Sequence, residues 1–227
     1  MNRADDAPSL DSRGLAKNRI EALVDGIFAV AMTLLVLDIK SPVNLTIETT
    51  SGLIDYLATL EHSFAMYAIS FVVLAIFWIA HHMLFHYVRH VDRRLLWMNM
   101  AFLLLVTFVP FSTDLLGDHG HLALPVFIYG FNLIALGGLL ALQLRYLAVH
   151  RALAAPDLTP SAIAEMRQEV LIYGAIPLLS MAISLYNPRI GMYSYLLLAI
   201  PTFAPSRLDR LLHPAQRGET VTPSEDP

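Results

Sequence analysis

Asp25 is the residue hardest to reconcile with its neighbours. It stands six residues beyond Arg19 in a run dominated by aliphatic side chains, about 9 Å along a helix. A carboxylate at such a position in lipid is costly unless it is paired or hydrogen-bonded. Two chemistries fit it: a direct ion ligand, or a buried structural carboxylate held by neighbouring helices. Buried polar groups are nearly always satisfied within the fold, and that favours the structural role. His81, His82, His86 and His90 follow a long apolar run. His82, His86 and His90 repeat at helical spacing, and a pair at i, i+4 can hold a metal. The other histidines, His62, His119, His121, His150 and His213, lie at span ends or in loops. They supply neither the further clusters of a di-iron site nor a second buried haem ligand, so no metal is expected. Asn99 is a natural cross-helix hydrogen-bond partner, such bonds being worth on the order of 1 kcal/mol in membranes. Asp25, His81 and Asn99 fall near the same ends of their segments and could meet at one depth.

Asp25 sits in a segment with two distinct faces. Ala22, Gly26, Ala29 and Thr33 make a stripe of small residues that permits close helix packing in lipid. Val30, Leu34 and Leu37 make a bulkier stripe. From spacing alone the bulky stripe reads as an ordinary core or lipid-facing surface.

The elements that must position these residues are membrane helices. A helix needs about 20 predominantly apolar residues to cross the hydrocarbon core. Six segments qualify or come close: 19–40, 63–80 continuing toward His86, 95–113, 122–144, 170–187 and 190–206, the last being the shortest. The tripeptide Asn187, Pro188, Arg189 joins the final two into a tight antiparallel hairpin. Only 15% of the 227 residues are charged, against about 25% in ordinary soluble domains. The charges cluster at the ends and in islands between the apolar runs. The expected fold is an all-α integral membrane protein with six transmembrane helices and no re-entrant pore loop. Its divisions are an N-terminal cytoplasmic segment (1–18), a transmembrane domain (19–212) and a disordered cytoplasmic tail (213–227).

Orientation follows from the basic residues. Arg3, Arg13, Lys17, Arg19, Arg89, Arg93, Arg94, Arg145, Arg151, Arg167, Arg207, Arg210 and Arg217 fall on one side, and only Lys40 and Arg189 on the other. The positive-inside rule places the thirteen, and both termini, in the cytoplasm of a multi-pass cell-membrane protein. An odd number of spans would break this alternation. There is no cysteine, which excludes disulfides and thiolate chemistry. The slightly negative net charge gives no reason to expect nucleic acid. No internal repeat relates the two halves, which weakens a transporter reading.

Taken together, Arg19, Asp25, Thr33 and Pro42, then Trp78, His81, His82, Phe85, Asp92, Asn99, Phe108, Pro110 and Thr113, resemble the first three helices of the bacterial relatives of the lysosomal potassium channel, the transmembrane protein 175 family. That family has an Arg, three residues, then Phe-Ser-Asp. Here Leu23 and Val24 replace the Phe-Ser pair, which removes one hydroxyl from the local network. The resemblance implies a homotetramer with a pore lined by the first helix of each subunit, permeant to potassium and other monovalent cations. It maps the constriction onto Val30, Leu34 and Leu37. It maps a structural polar network onto Arg19, Asp25, Trp78, His81 and Asn99. The Thr33 hydroxyl is the polar group expected in the pore. No Thr-Val-Gly-Tyr-Gly segment is present, so a ring of backbone carbonyls is not expected to set selectivity. Glu48, Asp55, Glu61, Asp114 and Asp118 on the expected outer side would concentrate cations. The reading is a channel that needs no cofactor and is not an enzyme. The alternatives are a proton- or cation-coupled transporter with Asp25 and His81 as relay, a non-conducting scaffold and, more distantly, a membrane enzyme.

Overall fold

The structure is a computed structural model that describes residues 17–39 and 49–202. The expected tail, most of the N-terminal segment, Lys40, Pro42, Glu48 and the basic residues from Arg207 onward fall outside the described residues. Between its connecting loops the chain is helical over this range, and the loops hold one antiparallel bridge between Val88 and Ala154. The principal helices are α1 (Lys17–Leu34), α2 (Thr50–Thr59), α3 (Glu61–His86), α4 (Arg93–His119), α5 (Ala123–Val149), α6 (Pro160–Ser184), α7 (Pro188–Tyr193) and α8 (Ala199–Thr202).

Local chemistry sets the boundaries. Asp92 starts α4 by accepting from the Leu95 amide at 2.8 Å. Thr159 caps α6 ahead of Pro160, and Asn187 caps α7 ahead of Pro188. Each proline sits where its missing N–H costs nothing. α1 does not continue as an α-helix to residue 40. It tightens into a 3-10 turn over Leu35–Asp38.

Four helical runs are long and apolar enough to cross a membrane: Lys17–Asp38, Glu61–His86, Arg93–His119 and Ala123–Val149. The last two have 27 residues each, about 40 Å of helix against a hydrocarbon core of about 30 Å. The expected fifth and sixth spans do not reach that standard among the described residues. α6 begins at Pro160 and carries Glu165, Arg167 and Glu169 in its first three turns. The segment expected at 190–206 is split into α7, a 3-10 turn over Ser194–Leu198, and α8. One element had no counterpart in the sequence reading. α2 lies within the expected outer loop, capped by Thr49, with no buried side chain.

Interhelical hydrogen bonds fix the register of the bundle. His81 of α3 meets Asn99 of α4 at 2.8 Å, and Ser70 meets Thr113 at 2.8 Å. Asn132 of α5 donates to the Leu105 carbonyl at 3.4 Å, and Tyr146 donates to Asp92. These contacts define α3–α4 and α4–α5 as antiparallel neighbours. At the arginine-bearing end the α3–α4 and α5–α6 connections are tied backbone to backbone. Arg89 N–H donates to the Leu153 carbonyl and Ala155 N–H to the Tyr87 carbonyl, both at 2.8 Å. At the other end α7 folds onto α6 so closely that a Cβ on Gly191 would lie 2.7 Å from the Ser180 carbonyl oxygen.

Candidate functional site: the free face of the first helix

α1 buries one side and leaves the other bare. Ile20, Val24, Phe28, Ala31 and Leu35 are buried against α3 and α4. Phe28 packs against Phe102 of α4 with ring centroids 6.0 Å apart, and Phe102 stacks on His81 of α3 at 5.1 Å. The opposite face has no partner among the described residues. Val30, Leu34 and Leu37 are 56%, 43% and 70% exposed, whereas Leu35 is fully buried. Ala22, Gly26, Ala29 and Thr33 are exposed too, and nothing lies within 4 Å of a Cβ built on Gly26. The small-residue stripe therefore packs against nothing among the described residues.

The 3-10 turn matters for this face. With three residues per turn, side chains at i and i+3 eclipse. The turn that begins after Leu34 brings Leu37 onto the same meridian, where a continuing α-helix would carry it about 60° away. Thr33 is exposed and donates its hydroxyl to the Val30 carbonyl at 2.8 Å. That leaves the oxygen lone pairs of Thr33 free on the exposed side.

The structure joins the expected polar residues as two pairs. Trp78 Nε1 donates to Asp25 Oδ1 at 2.9 Å, linking α1 to α3. His81 and Asn99 form the second pair, both fully inside the bundle and flanked by Phe85 and Phe102. Arg19 is exposed and makes no ion pair among the described residues; the ion pair at that end is Lys17–Glu21 at 3.6 Å. Asp25 is exposed in the single chain rather than buried within it, at the edge of the α1–α3 contact where Trp78 reaches it.

The histidine series does not form one face. α3 ends at His86, so His90 lies beyond the helix in the connecting loop. His82 stacks on Trp78, and His86 lies 3.6 Å from Asp157. Among the described residues no group of three or more potential ligands is placed to hold a metal ion. The sequence reading passed over Gln143, which lies wholly inside the bundle with neither amide atom hydrogen-bonded to a described residue. An amide in a mostly apolar run was the available signal. It also passed over Phe102, whose role depends on a stacking geometry that spacing does not reveal.

This fold and this site define a class: a multi-pass α-helical membrane protein whose first helix has an apolar face, with one carboxylate and one hydroxyl, that the other described residues leave uncovered. Residues 19–110 match the model of the family described as the endosomal/lysosomal potassium channel TMEM175. Over those residues the chain is similar to that family. A potassium channel of Streptomyces collinus is 43% identical over 101 residues, covering 44% of this chain and 48% of that one. A potassium channel of Chamaesiphon minutus is 44% identical over 101 residues, covering 44% and 49%. The chain thus spans about half the length of these curated relatives. The crystal structure of a lysosomal potassium-selective channel TMEM175 homologue from Chamaesiphon minutus superposes with a TM-score of 0.69 at 29% identity, over 83% of this chain and 98% of that one.

Proposed function

We propose that the chain is a potassium-permeable cation channel in which α1 from each of four copies surrounds a central pore, with Val30, Leu34 and Leu37 as its constriction. One observation carries the proposal. Asp25 and Thr33 are exposed on the same side of a helix that must lie in the membrane. A carboxylate facing acyl chains is expensive, so that side must meet another copy or water. Close assembly of four copies supplies both. The small stripe of Ala22, Gly26 and Ala29 lets neighbouring helices approach, and the bulky stripe lines the axis. The bonds from Trp78 and between His81 and Asn99 brace α1 from behind.

Selection in such a pore comes from narrow aliphatic rings and the Thr33 hydroxyl. Discrimination among monovalent cations is therefore weak. The acids Asp55, Glu61, Asp114 and Asp118 outnumber Arg189 at the end opposite the other described arginines and concentrate cations at the outer mouth. That orientation places both termini in the cytoplasm of a cell-membrane protein.

The test is potassium flux into liposomes holding the purified chain, with its mass measured in detergent. A tetramer that dissipates a potassium gradient at clamped pH supports the channel. Strict dependence of flux on a proton gradient marks a coupled transporter, and a monomer without flux removes the pore.

A further inference from the structure

At the arginine-bearing end, the α4–α5 pair concentrates positive charge beside an exposed indole. The contacts Tyr146–Asp92 and Asn132–Leu105 set an antiparallel register in which Arg145 of α5 lies level with Arg93 of α4. Both arginines are exposed, and neither makes an ion pair among the described residues. The acid nearest in sequence does not neutralise them. Asp92 is engaged by the Tyr146 hydroxyl, the Leu95 amide and the charge of Arg94. Trp97 follows Arg93 by one helical turn, about 6 Å deeper, and is 64% exposed. The same side of α4 then continues with exposed Leu104 and Phe108.

We propose that this surface binds an anionic glycerophospholipid, its phosphate held between Arg93 and Arg145, its glycerol region against Trp97 and an acyl chain along Leu104 and Phe108. Each part of the surface matches one part of the lipid. Guanidinium groups bind phosphate oxygens in a bidentate fork. Tryptophan settles at the level of the headgroups because its ring is apolar and its N–H is polar. The apolar stripe below selects a lipid over a free phosphate, which has nothing to lay along it. The order of charge, indole and aliphatic surface along one helix also separates this site from the general excess of arginines at that end. Arg89 and Arg167 are exposed as well, but neither is followed by an exposed indole one turn deeper.

Native mass spectrometry of the intact protein, with phosphatidylglycerol or phosphatidylcholine added in detergent, tests the proposal. The wild type should retain phosphatidylglycerol in preference to phosphatidylcholine. The variant R93Q/R145Q should lower that preference about thirtyfold, the equivalent of ~1 kcal/mol for each arginine. R167Q should leave it unchanged, and inorganic phosphate should not displace the lipid. Because the protein has two tryptophans, quenching by phosphatidylglycerol with brominated acyl chains gives a second readout. It should exceed quenching by the brominated choline lipid in wild type, and the excess should vanish in W97F. An equal loss in R167Q, displacement by phosphate, or a quenching excess that survives W97F would each overturn the site. None of these outcomes bears on potassium flux, so the pore proposal stands or falls separately.

Discussion

Trp78 and Asp25 are the two side chains on which the placement of α1 turns. The indole N–H donates to a charged acceptor at 2.9 Å, and bonds of this kind contribute about 1.5–3 kcal/mol when buried. Asp25 is exposed in the single chain, so the lower end of that range applies. Replacing Trp78 by Phe keeps the ring and deletes the donor. The midpoint of thermal unfolding in detergent should fall by several degrees, and D25N combined with W78F should cost little more than either change alone. Additive losses would mean that the two residues act separately. Asp92 makes a prediction about pH. Burial, the largest single influence, pushes its carboxyl up. The hydrogen bonds from Tyr146 and the Leu95 amide, with the charges of His150 and Arg94, outweigh that and hold it below the usual carboxylate range. A group with a depressed folded-state value adds stability above its unfolded value and loses it as pH falls through the folded one. The bundle should therefore hold its thermal midpoint until well into the acid range, and Y146F should begin to lose stability at a higher pH. A titration identical in the two proteins would show that the Tyr146 bond does not carry the effect.

At the scale of elements, legibility followed the strength of the local signal. Three uninterrupted apolar runs became α3, α4 and α5, each longer than expected because polar flanking residues such as Glu61, Asp118 and Tyr146 still extend a helix at the membrane boundary. The end of α1 was misjudged, since aliphatic Leu35, Val36 and Leu37 suit a 3-10 turn as well as an α-helix and no proline or glycine marks the change. The break near Ser194 was equally silent in the sequence. There the close seat of α7 on α6 dominates, with Ser194 bonded to Ser180 at 2.7 Å. Gly191 makes that approach possible, because the atoms facing it, Ser184 Cβ and Cα and the Ser180 carbonyl oxygen, are fixed to the α6 backbone and cannot step aside. Gly191→Ala should destabilise the hairpin by about 1–3 kcal/mol, visible as faster proteolysis of the α6–α7 region. The same change at Gly138, where nothing lies within 4 Å, should not. Pairings were harder to foresee than helices. That His81 and Asn99 bond to each other and Trp78 to Asp25 depends on which faces meet, and spacing along one helix does not contain that information.

The whole molecule poses two questions, its orientation and its pore. Because there is no native cysteine, single cysteines report orientation cleanly. A cysteine at Asp118 should react with a membrane-impermeant maleimide in intact cells, and one at Arg89 only after permeabilisation. The reverse pattern would invert the topology. The proposed pore is a matter of assembly, and one chain carries its proposed lining only as a face that the described residues leave bare. Val30, Leu34 and Leu37 are exposed on that face, while Leu35, the next residue after Leu34, is fully buried against the bundle. In the proposed tetramer, four aliphatic side chains converging at each level would leave an opening that water abandons readily, and a dry segment is a barrier to ions. The most direct test is therefore potassium flux through L34N beside L35N in liposomes, at matched tetramer content. With Leu34 in the constriction, L34N should raise potassium flux by tenfold or more and blur discrimination against sodium, whereas L35N should lower expression and leave the flux per tetramer unchanged. No change in flux for a well-assembled L34N, or an equal rise in both variants, would contradict a pore lined by this face of α1.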